Sequence, residues 1–242
     1  MTTRTLRKRT SRLPPGKRIA DIVAAARLLI AEQGYEGTSM LAIARRAGVV
    51  EATLYRFFKT KQDLMLRVAE DWLEEQLSVE SGFASIRGTW NRLRHLIWRA
   101  LQAMHNDPEL SRFVIIEMRP TATYRTTRLF RLNRRFTAQV RTVCDEAIEA
   151  GEFRSDVSSS LLRDMIFGCI EHQTWSLLRR EGDVPIDAVA DNIANVIYRG
   201  MAVGTPPAGD QIGNVLKRLE AVTTALETSL ASRIPDTVET AC

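Results

Sequence analysis

Cysteine is scarce in this chain. The three residues, Cys144, Cys169 and Cys242, are odd in number, far apart and never in a CxxC spacing. That pattern argues against a disulfide framework and a zinc site and leaves buried or incidental thiols. Histidine is equally rare, at His95, His105 and His172, and the chain has no HExxH, clustered carboxylates, nucleophile motif or glycine-rich phosphate loop after a strand. It therefore offers no constellation for catalysis, and neither an enzyme, a cofactor nor a metal is expected. Long apolar runs are missing too, and the arginine-rich beginning is not followed by an apolar stretch. Neither a membrane span nor a signal peptide is expected, and a cytoplasmic location follows. No segment alternates as a strand, so the fold class is all-α.

What the chain does have is positive charge in particular places. The whole sequence of 242 residues carries +5, yet residues 1 to 18 hold seven Lys/Arg and no acid, so the remainder is net acidic. With Pro14-Pro15-Gly16 behind it, the segment reads as a disordered basic arm able to lie in a DNA groove or along the backbone; a solubilising tail is the other reading.

Helical periodicity then runs through the chain, beginning with a first helix over about 17–33 that ends at Gly34. Thr38 is a plausible N-cap for a short second helix with Leu41, Ile43, Ala44 and Ala47 on its core face, and Gly48 supplies the positive φ that ends it. A third helix starts near Val50 or Glu51, where Leu54 and Phe58 stand at i and i+4 and can bury together. That leaves Glu51, Ala52, Thr53, Tyr55, Arg56 and Lys59 on the outer face, with hydroxyls and cations suited to phosphates and base edges. Thr60 and Asp63 form an N-cap signature for a fourth helix, and Lys61 in its first turn opposes the dipole unless an anion such as DNA phosphate sits outside.

Gly34-Tyr35 through Thr38, Ile43-Ala44, Ala47-Gly48-Val49, Thr53-Leu54-Tyr55, Phe58, Lys61 and Leu64 resemble, in order and spacing, the DNA-binding domain of the TetR family over residues 17 to 65. The resemblance implies a ligand-controlled, dimeric repressor of double-stranded DNA operators. On that reading Thr38, Thr53, Tyr55 and Lys61 hold phosphates, while Val50, Glu51, Ala52 and Arg56 lie nearest the base edges, with Lys59 beside them. There are two departures. Val50 stands where the family often has a capping Ser, so the third helix should firm up on DNA; Phe57 stands where a His or Tyr often offers a polar tip.

Further helices are expected over about 61–80, 86–105, from Asp107-Pro108 to Pro120, 122–151, from Asp156 or Ser158 to about 180, and 186–201. The last two are apolar over more than one stripe, and the resemblance implies that they pair with their symmetry mates in a homodimer. The organisation reads as a basic arm (1–16), a helix-turn-helix domain (17–65), a ligand-binding and dimerisation domain (66–203), and a linker with an extra helix (204–242).

Between residues 86 and 151 the aromatic and sulfur side chains read either as an ordinary core or as the wall of an apolar effector tunnel. Residues 112–141 carry eight arginines against one acid, Glu117, whereas residues 142–242 carry 16 acids and 8 bases. Arginine suits phosphate by bidentate geometry, and an apolar tunnel with an arginine mouth would suit an acyl-CoA; a solvated helix face is the alternative. Phe113–Arg119 and Arg163–Gly168 are similar to segments of the fatty-acid-responsive, acyl-CoA-binding repressors of that family. On the tunnel reading Trp90, Trp98, Met104, Phe113, Arg119, Tyr124, Arg128, Phe130, Met165 and Trp175 line the site, with His172 on its floor or in the core. A different class, an architectural or interaction protein that binds DNA without a small effector, makes the same demands on the first 65 residues.

If each subunit touches about five phosphates, the log–log salt slope of operator binding by a dimer is roughly −9. Removing residues 1 to 13 makes the slope shallower in a salt titration; an unchanged slope would show the arm to be a bystander.

Overall fold

Proline at the first turn costs a helix nothing, because the N–H it lacks would be unsatisfied there, and α1 (Pro15–Gly37) opens in this way. Ile22, Val23, Ala26, Leu29 and Ile30 bury one face of α1. Gly34 breaks it at φ 71° and ψ 175°. A side chain there would be strained by the left-handed backbone, and its Cβ would come 2.9 Å from a Glu109 carboxylate oxygen. The structure, a computed structural model, describes residues 14–78, 83–179, 181–204, 219–220 and 222–224. The basic arm to residue 13 and most of the expected C-terminal helix lie outside the described residues.

Two short helices follow, α2 (Met40–Arg46) and α3 (Glu51–Tyr55), joined through Gly48 at φ 65°. The cap of α2 is Ser39 and not Thr38: the Ser39 hydroxyl accepts from the Ala42 N–H at 3.1 Å. Thr38 is 2% exposed, and its hydroxyl donates back to the Gly34 carbonyl at 2.8 Å. Closing the break at Gly34 takes the hydroxyl inward, so the neighbouring serine caps. In α4 (Lys61–Ser78) the capping box forms as expected, with Thr60 N–H to Asp63 Oδ2 and Asp63 N–H to Thr60 Oγ1, both at 3.0 Å.

After a 3-10 turn (Phe83–Ser85) come α5 (Thr89–Asn106) and α6 (Pro108–Arg112). Asp107 precedes α6 without capping it. Its carboxylate accepts instead from Trp72 Nε1 at 3.0 Å and faces Arg27 at 3.6 Å. From α6 the chain widens into a π-helical stretch (Phe113–Met118), a rare form that often marks functional sites. The seventh helix, expected from about 122, begins later because a 3-10 turn (Tyr124–Thr126) intervenes and the Thr127 hydroxyl accepts from Phe130 N–H at 3.1 Å. It is α7 (Arg128–Glu149), followed by α8 (Ser159–Leu178) and α9 (Ile186–Met201).

Residues up to Met201 belong to one compact unit. One apolar core gathers α1 to α4 together with Phe113, Val114, Met118, Tyr124, Leu129 and Leu132; a second gathers α5, α7, α8 and α9. The DNA-reading end therefore shares its core with the start of the body. In α4 alone Leu64, Met65, Val68, Ala69, Trp72 and Leu73 are buried, each large one contributing about 1.5–3 kcal/mol. Cys144 sits in the second core, where burial, aided by Asp145, pushes its thiol up to about 12, so it is inert at neutral pH. No helix among the described residues is long and apolar enough to cross a membrane.

Replacing Ser39 by Ala removes the cap of α2 and costs about 1 kcal/mol, which lowers the melting temperature by roughly 2–4 °C in calorimetry for a protein of this size. A melting temperature unmoved by S39A would mean that the cap contributes nothing.

Candidate nucleic-acid interface and effector cavity

The third helix is pinned by one residue and free elsewhere. Leu54 is 0% exposed, with Phe57 and Phe58 packed beside the same core. Val50, at the N-cap, makes no side-chain cap bond and is 71% exposed. Ala52, Tyr55, Arg56 and Lys59 are exposed; Glu51 and Thr53 are half-buried on the same short helix. Glu51 in the first turn offsets the helix dipole that the missing cap leaves unmet.

Two expected phosphate ligands are turned inward. Thr38 is buried with its hydroxyl already used, so it offers no phosphate contact in this conformation. Lys61 lies over the Tyr35 ring at 4.0 Å and donates to the Tyr35 carbonyl at 3.0 Å. That carbonyl, not an external anion, answers the cation at the start of α4. Arg45, at the exposed end of α2 beside Arg46, was not singled out from the sequence. Arg46 is paired with Glu32 at 2.6 Å, while among the described residues Arg45 makes no ion pair.

Tyr35 also packs against Phe113, with ring centroids 4.8 Å apart. The two rings help line a polar cavity of about 340 Å³ with Glu36, Glu109, Arg112, Glu117 and Arg179, at the junction of reading head and body. Burial, with Glu117 and Glu36 nearby, raises the Tyr35 phenol, which stays neutral.

Two further cavities lie within the body. The outer one, about 500 Å³, is lined by Arg119, Phe130, Asn133, Arg134, Thr137, Arg163, Asp164, Phe167, Gly168 and Glu171. The inner one, about 50 Å³, lies among Trp72, Leu73, Gln76, Ala100, Ala103, Met104, Ser111, Val114, Ile115 and Phe136. Arg119, Asn133 and Phe167 line both. Arg119 is ion-paired with Glu171, and Arg163 with Asp164 at 2.6 Å.

Of the residues expected to meet an effector, Met104, Arg119 and Phe130 line these two cavities, and the others are employed elsewhere. Trp90 donates to Asn195 at 2.9 Å, fastening α5 to α9; Trp98 stacks near His95; Phe113 serves the junction cavity. Tyr124 sets its ring edge-on to Phe130, and Arg128 pairs with Glu74 at 2.6 Å. Met165 is 47% exposed on the outer face of α8, Trp175 lies beneath the Arg179 guanidinium, and His172 is exposed. Asn133 was missed; Arg134 belongs to the arginine-rich stretch and Arg163 and Phe167 to the Arg163–Gly168 segment, though none of the three was placed among the site residues. Arg163, Phe167 and Glu171 recur every four residues, one face of α8, which a helical projection could have flagged.

A short helix held out from a glycine turn, with cations on its free face and a hollow helical body behind it, is the reading head of a helix-turn-helix regulator. The family model described as "Bacterial regulatory proteins, tetR family" matches residues 22–68, and "Tetracyclin repressor-like, C-terminal domain" matches residues 87–201. The chain belongs to the TetR family of transcription regulators. It is 22% identical to the fatty acid metabolism regulator protein of Bacillus subtilis over 74% of this chain and 93% of the relative. It is 27% identical to the repressor KstR2 of Rhodococcus jostii, over 76% and 91%. The crystal structure of FadR from Bacillus subtilis in complex with stearoyl-CoA has the same fold, with a TM-score of 0.64 at 22% identity over 75% of this chain and 98% of that one.

Val50→Ser supplies the missing cap, worth about 1 kcal/mol. Backbone amides at the start of α3 then exchange about fivefold more slowly in the DNA-free protein, from the same free energy. Unchanged exchange would show that α3 is already fully formed.

Proposed function

We propose that the chain is a homodimeric repressor, released from a palindromic operator by a long-chain acyl-CoA. The observation that carries this is a pair of neighbouring cavities whose walls share Arg119, Asn133 and Phe167. The outer cavity presents Arg119, Arg134 and Arg163 against Asp164 and Glu171, an excess of cations that suits phosphates. Beyond the shared residues the wall turns apolar, as an acyl chain requires. The Bacillus subtilis relative with the same fold was crystallised with stearoyl-CoA, which agrees with this division of a ligand into charged head and apolar tail.

The inner chamber is the switch because it is narrow. At about 50 Å³ it has room for one or two waters, against the 300–1,000 Å³ of ordinary ligand sites. A tail enters only if α4, the π-helical stretch and α7 part. A ligand shifts an equilibrium by its difference in affinity for two states, and moving from 1:99 to 99:1 takes about 5.5 kcal/mol. At about 0.8 kcal/mol per buried methylene, about seven methylenes suffice. Displacement of Val114 and Ile115 carries Phe113 with it, and Phe113 bears on Tyr35 and so on Lys61 at the head of α4.

In the dimer α8 and α9 form the interface. Leu161 and Met165 on α8 are about half exposed and Val196 on α9 is 70% exposed, while Gly168 and Gly200 have open space around them for a close helix. Two-fold pairing sets the recognition helices about 34–36 Å apart, or a multiple of it, to meet successive half-sites. Val50, Glu51, Ala52, Thr53, Tyr55, Arg56 and Lys59 then face the groove, with Arg45 on the adjacent backbone.

Fluorescence anisotropy on a labelled operator tests the whole reading. Stearoyl-CoA weakens binding at least about tenfold, within the usual range of allosteric coupling, whereas acetyl-CoA and free stearate do not. The double variant Arg119→Ala with Arg163→Ala keeps operator affinity and loses the response. An affinity indifferent to stearoyl-CoA would remove the acyl-CoA as effector and leave the operator-binding repressor standing.

A further inference from the structure

We infer that the effector carries an oxygen on its acyl portion and that Ser111 recognises it; this deepens the acyl-CoA reading above and rests on it. Ser111 is 2% exposed on α6, and among the described residues its hydroxyl has no hydrogen-bond partner. Its backbone N–H is satisfied by the Asp107 carbonyl at 2.9 Å, so the helix is intact and the side chain alone is unpaired. Ser111 lines the inner chamber and not the outer cavity, which places it past the shared residues, on the side of the tail.

Its surroundings there include Trp72, Leu73, Val114, Ile115 and Phe136. A buried hydroxyl in such a wall is costly while unpaired. A saturated chain would leave it so. A hydroxyl or keto oxygen on the chain accepts from Ser111 Oγ and removes the penalty at the moment of binding. Sites with a committed polar group discriminate more sharply against the analogue lacking its partner than apolar walls discriminate by size. The ligand class is therefore a long acyl-CoA oxygenated along its chain.

Calorimetric titration of the wild-type protein and Ser111→Ala with stearoyl-CoA and a panel of hydroxystearoyl-CoA positional isomers tests this. At least one isomer binds the wild type about tenfold or more tightly than stearoyl-CoA, and in S111A that preference falls to near one. Ligand-free S111A, relieved of an unpaired hydroxyl, melts roughly 2–4 °C higher, which also shows that it is folded. Equal binding of all the thioesters, a preference that survives S111A, or a lower melting temperature for S111A would overturn the inference and leave the acyl-CoA reading standing. Binding of none of the thioesters would overturn both.

Discussion

Tyr35 is gripped by two residues, and the orientation of the reading head depends on that grip. Lys61 lies 4.0 Å above its ring and donates to its carbonyl, while Phe113 packs on the ring from the body. Gly34 makes this geometry available, because a left-handed residue there turns the chain back after α1 and delivers Tyr35 to the junction. A cation over a ring contributes about 0.5–2 kcal/mol, and a hydrogen bond from a charged group about 1.5–3 kcal/mol. Such contacts hold α1, α4 and the π-helical stretch in one arrangement without making it immovable. Their sum is comparable with the free energy that a handful of buried methylenes can supply.

A second attachment lies further along α4, at the start of α7. Glu70 accepts from the Leu129 N–H at 3.2 Å, and Glu74 pairs with Arg128 at 2.6 Å. Both carboxylates meet the positive end of the α7 dipole. Burial nevertheless raises the Glu70 carboxyl, an effect that Arg128 and the Leu129 N–H oppose. Since a raised carboxyl loses stability as pH climbs through its titration, the ionised Glu70 is held at some cost. Thus α4 is tied to the body at its head through Tyr35 and at its middle through Glu70 and Glu74. The inner chamber lies beside the same helix at Trp72, Leu73 and Gln76. Anything that swells the chamber pushes on α4 next to attachments that cannot both stay seated.

How much of this was legible depends on the range of the interaction that decides each point. The α2–α3 turn, the bare Val50 cap and the Thr60–Asp63 box are settled by residues within a few positions of one another, and all three were readable. Thr38 and Ser39 are both competent caps; the choice falls to Ser39 because Thr38 is drawn back to Gly34. Asp107 before Pro108 has the signature of a cap, and what removes it is Trp72, thirty-five residues earlier. The same limit applies to the effector residues. Richness in aromatics and arginine announces a core and a charged surface, but Trp90 is claimed by Asn195 and Arg128 by Glu74, partners on helices that sequence alone does not bring together.

A narrow chamber is a better sensor than an open one. A tunnel equally open in the conformation that holds DNA and in the one that does not would bind its ligand equally in both, and equal affinity shifts nothing however tight the binding. On the acyl-CoA reading proposed above, the tail has no place until the helices part, so most of the apolar free energy of burying it accrues to the altered state. On the same reading a head group alone would fit the outer cavity and do no work on α4. Phe136 and Phe167, edge to face with centroids 6.4 Å apart, carry α7 and α8 across the passage, and separating them costs an aromatic contact of about 0.5–1.5 kcal/mol. On the acyl-CoA reading a short chain would not recover that cost, whereas a long one would recover it within its first few methylenes and leave the rest for moving α4.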